Sequence, residues 1–460
     1  MTIKSYLSNK KFFEIDTIVK LLSILYICFI DFRIFEQKSL SLADLIFPFL
    51  FVAIIFRTKL SLPSILKKNN QSLKIFLFFA ILWILSFLLP SIGSGNVVEF
   101  IKTNSIYIAA SIYLVVLFLV FFYITIEFGW EFVFKGILYA GLLSAVISLL
   151  GFILFYIGIE TRLITTGTTS SPYLIGFPRV LGFSVTPNGL AYLFFVSLIS
   201  GLALFYSEKI SKYFVVISSS VIFFALLVTL SKTLLLILLL YVIFFISKVC
   251  RSMNAHQVRK YLISLALFGG LFLYILVTHI IVVKDSDGDG SVYQDSNNTI
   301  KFAFIDGECE WGNEIFESKY ELGKTHICPS LFVEIKKSYL DLGFDYFPWG
   351  AGARNKLKNI TAENDVPIIQ NPHSTYLERF YLHGAIGLLS LALFIYLVIN
   401  SLIRIRESDL SFDDVYYVFY LFWSICLFMS INDDLLRYRL IWVMLAITMG
   451  IATVHAKKKI

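Results

Sequence analysis

Charged side chains are what this sequence has least of. Only 15% of its 460 residues are Asp, Glu, Lys or Arg, where water-soluble domains carry roughly 25%. That shortage excludes an ordinary soluble fold, because 58% of the residues are apolar and water would have to meet much of that surface. No small-residue cleavage site follows the apolar run after Lys4, Lys10, Lys11 and Lys20, so the start reads as an uncleaved signal anchor rather than a signal peptide. No repeat relates the two halves, which removes the usual sign of an inverted-repeat transporter. The net charge of +7 does not indicate nucleic acid, because the basic residues sit in short segments between apolar runs, as topology signals do.

What is present in excess is hydrocarbon. The mean hydropathy is +0.79, and the chain holds 46 Phe and 25 Tyr, which suit span interiors and interfacial belts. Apolar runs long enough to cross a bilayer as helices fall at about 17–35, 41–56, 73–92, 105–126, 136–158, 189–206, 213–230, 232–248, 262–283, 385–402, 414–430 and 437–454. The expected fold is an all-α polytopic membrane protein of about 12 transmembrane helices. With the N-terminus in the cytoplasm, 21 of the 39 Lys and Arg fall in inner segments and 8 in short outer ones. That bias puts both termini on the cytoplasmic side. The chain divides into spans one to nine over 1–283, with an outer loop near 159–188, then a large outer loop over 284–384, then spans ten to twelve over 385–460.

Polar constellations cluster in the outer segments. The run Asn371-Pro372-His373-Ser374-Thr375-Tyr376-Leu377-Glu378-Arg379, continuing to Gly384 and Gly387, predicts a helix capped by Asn371 that starts at Pro372. The positive end of that helix disfavours an imidazolium, so His373 there suits a neutral base. Arg179, Gly182 and Asn188 close the first outer loop. Lys232, between two apolar spans, is either a snorkelling side chain or a fixed cation for a phosphate. Asp433 and Asp434 precede Arg437 and Arg439. Two arginines two residues apart on a helix point about 200° apart, so only one can face a shared cavity, and an ion pair with the neighbouring acids is the simpler role. Gly350 and Gly352, just before Arg354, permit close backbone approach.

In this order and on this face, these elements resemble those of the O-antigen polymerase/O-antigen ligase superfamily of bacterial envelope glycosyltransferases. Its members carry a long periplasmic loop ending in a His, a hydrophobic residue and two spaced glycines, matched here by His373, Leu377, Gly384 and Gly387. An Arg-x-x-Gly element ahead of an Asn is matched by Arg179, Gly182 and Asn188. A Gly-x-Gly element is matched by Gly350 and Gly352. The Ser-Arg-Thr-like element is Ser231-Lys232-Thr233 in this chain, which keeps the charge but not the bidentate geometry.

The resemblance implies an enzyme of the bacterial inner membrane that acts on undecaprenyl-diphosphate-linked oligosaccharide at the periplasmic face. A hydroxyl of the acceptor sugar attacks, and the lipid diphosphate leaves. His373 would be the catalytic base. Arg179, Lys232, Arg437 and Arg439 would bind the diphosphate. Asn371, Glu378, Arg379, Gly350, Gly352 and Arg354 would shape the loop and substrate site. No cofactor is required, since the donor is already activated. A chain-length regulator and a flippase are the implied partners beside the bilayer, with no nucleic acid. A polymerase of repeat units is favoured over a ligase to lipid A core. A lipid-linked oligosaccharide flippase or another transporter is the reading from a different class.

Two features of the large loop stand apart. Asp285, Asp287 and Asp289 followed by Gly290 match the opening of an EF-hand loop, but Ser296 replaces the acid at the twelfth position. Structural calcium and a solvated acidic turn therefore remain alternatives. Cys309 and Cys328 lie in the same loop, where an oxidising compartment would let them pair, while Cys28, Cys250 and Cys426 lie in or beside spans. If the pair is bridged, the full-length protein shows a reductant-dependent gel shift and two protected thiols. Complete labelling of Cys309 and Cys328 without reductant would exclude the bridge.

Overall fold

The computed structural model describes residues 3–30, 41–58, 71–93, 96–159, 187–208, 210–229, 331–353, 374–407, 413–431 and 433–456, together with Phe32 and short pieces between 161 and 184 and between 310 and 327. Their regular structure is helical, apart from three short antiparallel strand pairs. The helices are α1 (Ile3–Cys28), α2 (Leu42–Thr58), α3 (Gln71–Leu88), α4 (Val97–Phe128), α5 (Trp130–Tyr156), α6 (Pro187–Tyr206), α7 (Lys212–Val228), α8 (Leu331–Asp345), α9 (Thr375–Arg406), α10 (Asp413–Met429) and α11 (Arg439–Ala456). Five stretches are long and apolar enough to cross a membrane, namely Gln71–Gly93, Val97–Phe128, Trp130–Phe155, Pro187–Tyr206 and Thr375–Arg406. Their outward surface carries Phe78, Val98, Ile106 and Ile153, a cost in water but none against lipid tails. The expected spans at 232–248 and 262–283 lie outside the described residues.

The chain forms two compact units, one of Met1–Ala140, Val196–Val215 and Leu331–Ile460, the other of Gly141–Phe195 and Val216–Ser330. The first unit joins helices from both ends of the sequence. Its centre is aromatic: Phe79, Trp83 and Trp442 meet with ring centroids 5.1–6.0 Å apart, linking α3 to α11. Gly450 of α11 lies against Thr125 of α4, where a Cβ would come within 2.7 Å of the Thr125 methyl. At one end Arg57 joins Asp16, Glu127 and the Tyr123 hydroxyl, tying α1, α2 and α4. At the other end Arg439 does the same for α11, α2 and the loop between α1 and α2.

In the second unit, Ile164–Thr165 pairs with Arg179–Val180. Leu181 and Gly182 donate backbone N–H groups to the Leu163 carbonyl at 2.8 and 3.1 Å. Gly182 takes φ +55, and a Cβ there would crowd the Ser148 hydroxyl. The glycine of the Arg-x-x-Gly element is thus set by backbone geometry.

Helix α9 departs from expectation in two ways. Its cap is Ser374, whose hydroxyl accepts from Leu377 N at 3.5 Å, so the helix begins three residues after Pro372. It also extends well before residue 385, where the apolar pattern starts. Hydropathy stops short because Glu378, Arg379 and His383 are polar, yet all three are buried.

The helix is also broken. Gly384 sits at φ 59, ψ −147, outside the helical region. The break is filled by the segment after α8. Ala351 N donates to Tyr381 O at 2.8 Å, Gly352 N to Leu382 O at 2.9 Å, and Ala385 N to Pro348 O at 2.9 Å. A Cβ at Gly350 would strike Gly384 N and Leu382 O, each 2.7 Å away, and one at Gly387 would run into Arg379 and His383. Both glycine pairs of the motif therefore serve one backbone junction. Gly384→Ala would meet the Pro348 carbonyl in a conformation that costs an L-residue about 1–3 kcal/mol before any clash is counted. A clearly lowered thermal midpoint in detergent is expected, and an unchanged midpoint would contradict the packing described.

Candidate functional site

The start of α9 is clamped to the end of α10 and the loop before α11. Thr375 N donates to Ser430 O at 2.8 Å and to Asp433 O at 3.1 Å. The Thr375 hydroxyl donates to Asp433 O at 2.8 Å and accepts from Leu435 N at 3.0 Å. Tyr376 Oη adds a bond to Leu427 O at 3.1 Å, and Trp442 Nε1 holds Leu436 O at 2.9 Å. This clamp sets the next turn of α9 beside the 3-10 turn Leu435–Arg437.

Four charges converge there. Arg437 forms ion pairs with both Glu378 and Asp434. Asp434 and Glu378 are 3% and 5% exposed, and Arg379 is 2% exposed. Arg437 is the outward member, its side chain 38% exposed. The Arg379 guanidinium lies 4.0 Å from the centroid of the Trp83 ring, and the Phe87 ring lies 5.5 Å away. Stacking on an indole suits a weakly hydrated planar cation. Its Nε and Nη1 meet no hydrogen-bond acceptor among the described residues.

One turn further on, His383 is buried against Phe87, with ring centroids 4.3 Å apart. Its Nδ1 lies 2.9 Å from Ser86 O, and a carbonyl can only accept, so Nδ1 carries the proton and donates. Burial first, then the neighbouring Glu378 carboxyl, push Asp434 up to about 7, against the pull of Arg437 and Arg379.

Three residues read from the sequence as site candidates, Glu378, Arg379 and Arg437, are thus brought together. Gly350 and Gly352 adjoin them through the α9 break. Arg439 is not part of this cluster. It faces the other way, donating to Ile30 O at 3.0 Å, Ser41 Oγ at 3.1 Å and Asp44 Oδ2 at 2.7 Å, because Arg437 ends the 3-10 turn and Arg439 begins α11, with Tyr438 extended between them. The backbone of Arg179 is described in the second unit, paired with Thr165. His373, Asn371, Lys232 and Arg354 lie outside the described residues, as do Asp285, Asp287, Asp289, Cys309 and Cys328.

Sequence reasoning passed over His383 and Trp83. His383 stands four residues after Arg379, a spacing that places both on one helix face, and that signal was legible. Trp83 is one aromatic among many in an apolar run, with nothing to single it out.

No family model and no curated protein matches this chain.

Asp434 gives a measurable signature. A carboxyl whose folded pKa lies above its unfolded value stabilises the fold while protonated. That contribution is full below about pH 4 and is lost as pH rises through about 7. The thermal midpoint of the wild type is therefore expected to fall between pH 5 and pH 8, and Asp434→Asn is expected to remove that part of the fall. Parallel profiles for the two proteins would contradict the assignment.

Proposed function

We propose that this chain is a metal-independent membrane glycosyltransferase of the bacterial inner membrane. It joins undecaprenyl-diphosphate-linked oligosaccharide repeat units at the periplasmic face, as an O-antigen polymerase does. One observation carries the reading. Elements that resemble the superfamily's motifs but lie far apart in sequence, the Gly350/Gly352 segment and the Glu378–Gly387 helix start, pack into a single junction, and Arg437 closes on it. What they frame is Arg379, a buried cation whose Nε and Nη1 meet no acceptor among the described residues.

A leaving diphosphate develops negative charge, and preorganised cations in a water-poor site stabilise it far better than they could in water. Arg379 and Arg437 are the cations so disposed. His373, eleven residues before Gly384 in the sequence, is the proposed base for the attacking hydroxyl, a role worth ~10²–10⁴-fold in rate. Glu378 holds Arg437 in place, and Arg439 serves as the clasp to Asp44.

The transporter reading draws on one observation too. Glu378, Arg379 and His383 lie inside a long apolar helix, and ionisable groups in spans mark transport paths. Two facts weigh against it. The charges sit at one end of α9 rather than midway, and the junction around them is locked by backbone hydrogen bonds.

Complementation of a polymerase-deficient strain, read on a lipopolysaccharide gel, separates the readings. Restored ladders indicate the polymerase. Lipid-linked polymer without core attachment, seen in a strain lacking this protein, indicates the ligase. Loss of even single capped units indicates a flippase. In a rescued strain, His373→Ala and Arg437→Ala are expected to abolish chain formation. Arg439→Ala is expected to lower activity only in proportion to the amount of folded protein. Full ladders with His373→Ala would sink the proposed base.

A further inference from the structure

The charge cluster has an internal balance that the proposed function does not use. Resting on the reading of this site as a diphosphate site, we infer that the Glu378–Asp434 carboxyl pair takes up one proton from solvent when a phosphate-bearing anion binds Arg379 and Arg437, so that anion binding here is proton-linked.

The geometry supplies the reason. Two carboxyls on two different elements converge on one arginine. Both are buried at that one guanidinium, so their charges repel each other there, and a proton on either one relieves the repulsion. With both carboxyls ionised, the cluster of Glu378, Asp434, Arg379 and Arg437 is neutral, and Arg437 is committed to its two acids. With one proton on the pair, the cluster carries a net positive charge and part of the hold on Arg437 is released. The second form is the one that attracts an anion. Arg379 is already short of acceptors at Nε and Nη1, and an anion oxygen would supply them.

Among the described residues the groups around Asp434 are few. From α9 come Glu378, Arg379 and, one turn on, His383. From its own loop come Arg437, and Asp433 with the Tyr438 hydroxyl 3.3 Å from its Oδ2. From α3 come Trp83 and Phe87, which do not titrate, and α11's Arg439 is turned to Asp44. The rise of Asp434 to about 7 puts the protonation step within reach of ordinary conditions. An anion that competes for Arg437 and Arg379 removes the two influences that hold Asp434 down, so its proton affinity rises further on binding. By linkage, affinity must then fall as pH rises past the free-state value.

The test uses the full chain in lipid nanodiscs, with farnesyl diphosphate and inorganic pyrophosphate as probes at pH 6 and pH 8. Titration calorimetry is run in two buffers of different ionisation enthalpy. Because each probe titrates on its own, the readout is the wild type relative to Asp434→Asn. The affinities are expected to be similar at pH 6, with the wild type about tenfold weaker at pH 8. The wild type should take up close to one proton more per ligand than the variant at pH 8.

Equal pH profiles, equal proton uptake, or no binding of either probe would overturn the inference. If Asp434→Asn does not fold, Glu378→Gln takes its place, since removing either carboxyl breaks the shared-proton pair, and the same differences decide. Binding of farnesyl diphosphate but not pyrophosphate supports a lipid-linked ligand, and equal binding supports free diphosphate. Proton-linked binding together with failed complementation would remove the sugar-transfer reading while leaving the proton linkage intact. Restored ladders without proton linkage would do the reverse.

Discussion

A helix interrupted within an apolar span must find new partners for every backbone group it frees, because lipid offers none. That constraint governs this end of the bundle. Gly384 breaks α9, and the freed carbonyls of Tyr381 and Leu382 and the N–H of Ala385 are taken up by Ala351, Gly352 and Pro348. Once that exchange is made, the segment from Pro348 to Gly352 cannot move independently of α9. The amphipathic helix α8 ahead of it is drawn in as well, with Tyr339 packed edge-on to Tyr381 at 4.8 Å and Phe344 to Phe380 at 5.1 Å. The polar turn of α9 that precedes the break is held from the opposite side by Thr375.

The charges inside this frame obey a related rule. A lone buried ion costs several kcal/mol, so ions enter an apolar interior only in company. Arg437 answers Glu378 and Asp434 together, while Arg379 rests on the Trp83 face with donors to spare. The cluster is balanced as a set but uneven in detail, with one cation doubly held and the other scarcely held. Such an arrangement stabilises the fold poorly for the charge it buries. Under the proposed function the imbalance lies at Arg379, the cation that would meet the anion. Arg439 makes the contrast clear. It is fully engaged by a carbonyl, a hydroxyl and a carboxylate, as a purely structural arginine should be.

Much of this was readable beforehand. Hydropathy alone located ten of the described helices to within a turn or so at most ends, because burying backbone in lipid admits no other solution. Arg437 and Arg439 do face apart, but because they belong to different elements joined by the extended Tyr438, not because one helix turns between them. The glycines at 350, 352, 384 and 387 were recognisable as points of close approach. The ends of α9 were harder. Asn371-Pro372 is a good cap by local chemistry, yet Ser374 is used, since the Thr375 backbone N–H is claimed by Ser430 and Asp433. The apolar pattern also missed the first turns of α9, where polar residues are paid for by partners sixty residues away in sequence.

The sequence by itself determined that the chain is helical and built for an apolar medium, and it marked Glu378, Arg379, Arg437 and the glycine pairs as exceptional. Those conclusions rest on local quantities: composition, period and turn chemistry. Only the tertiary structure decided that the glycine pairs serve one another, that Arg437 rather than Arg439 joins the acids, and that Asp434 and Trp83 complete the cluster. Pairing between groups so distant along the chain depends on which helices pack together. That is set by side-chain fit between surfaces, such as Gly450 against Thr125 or Trp83 against Trp442, which no local pattern in the chain encodes.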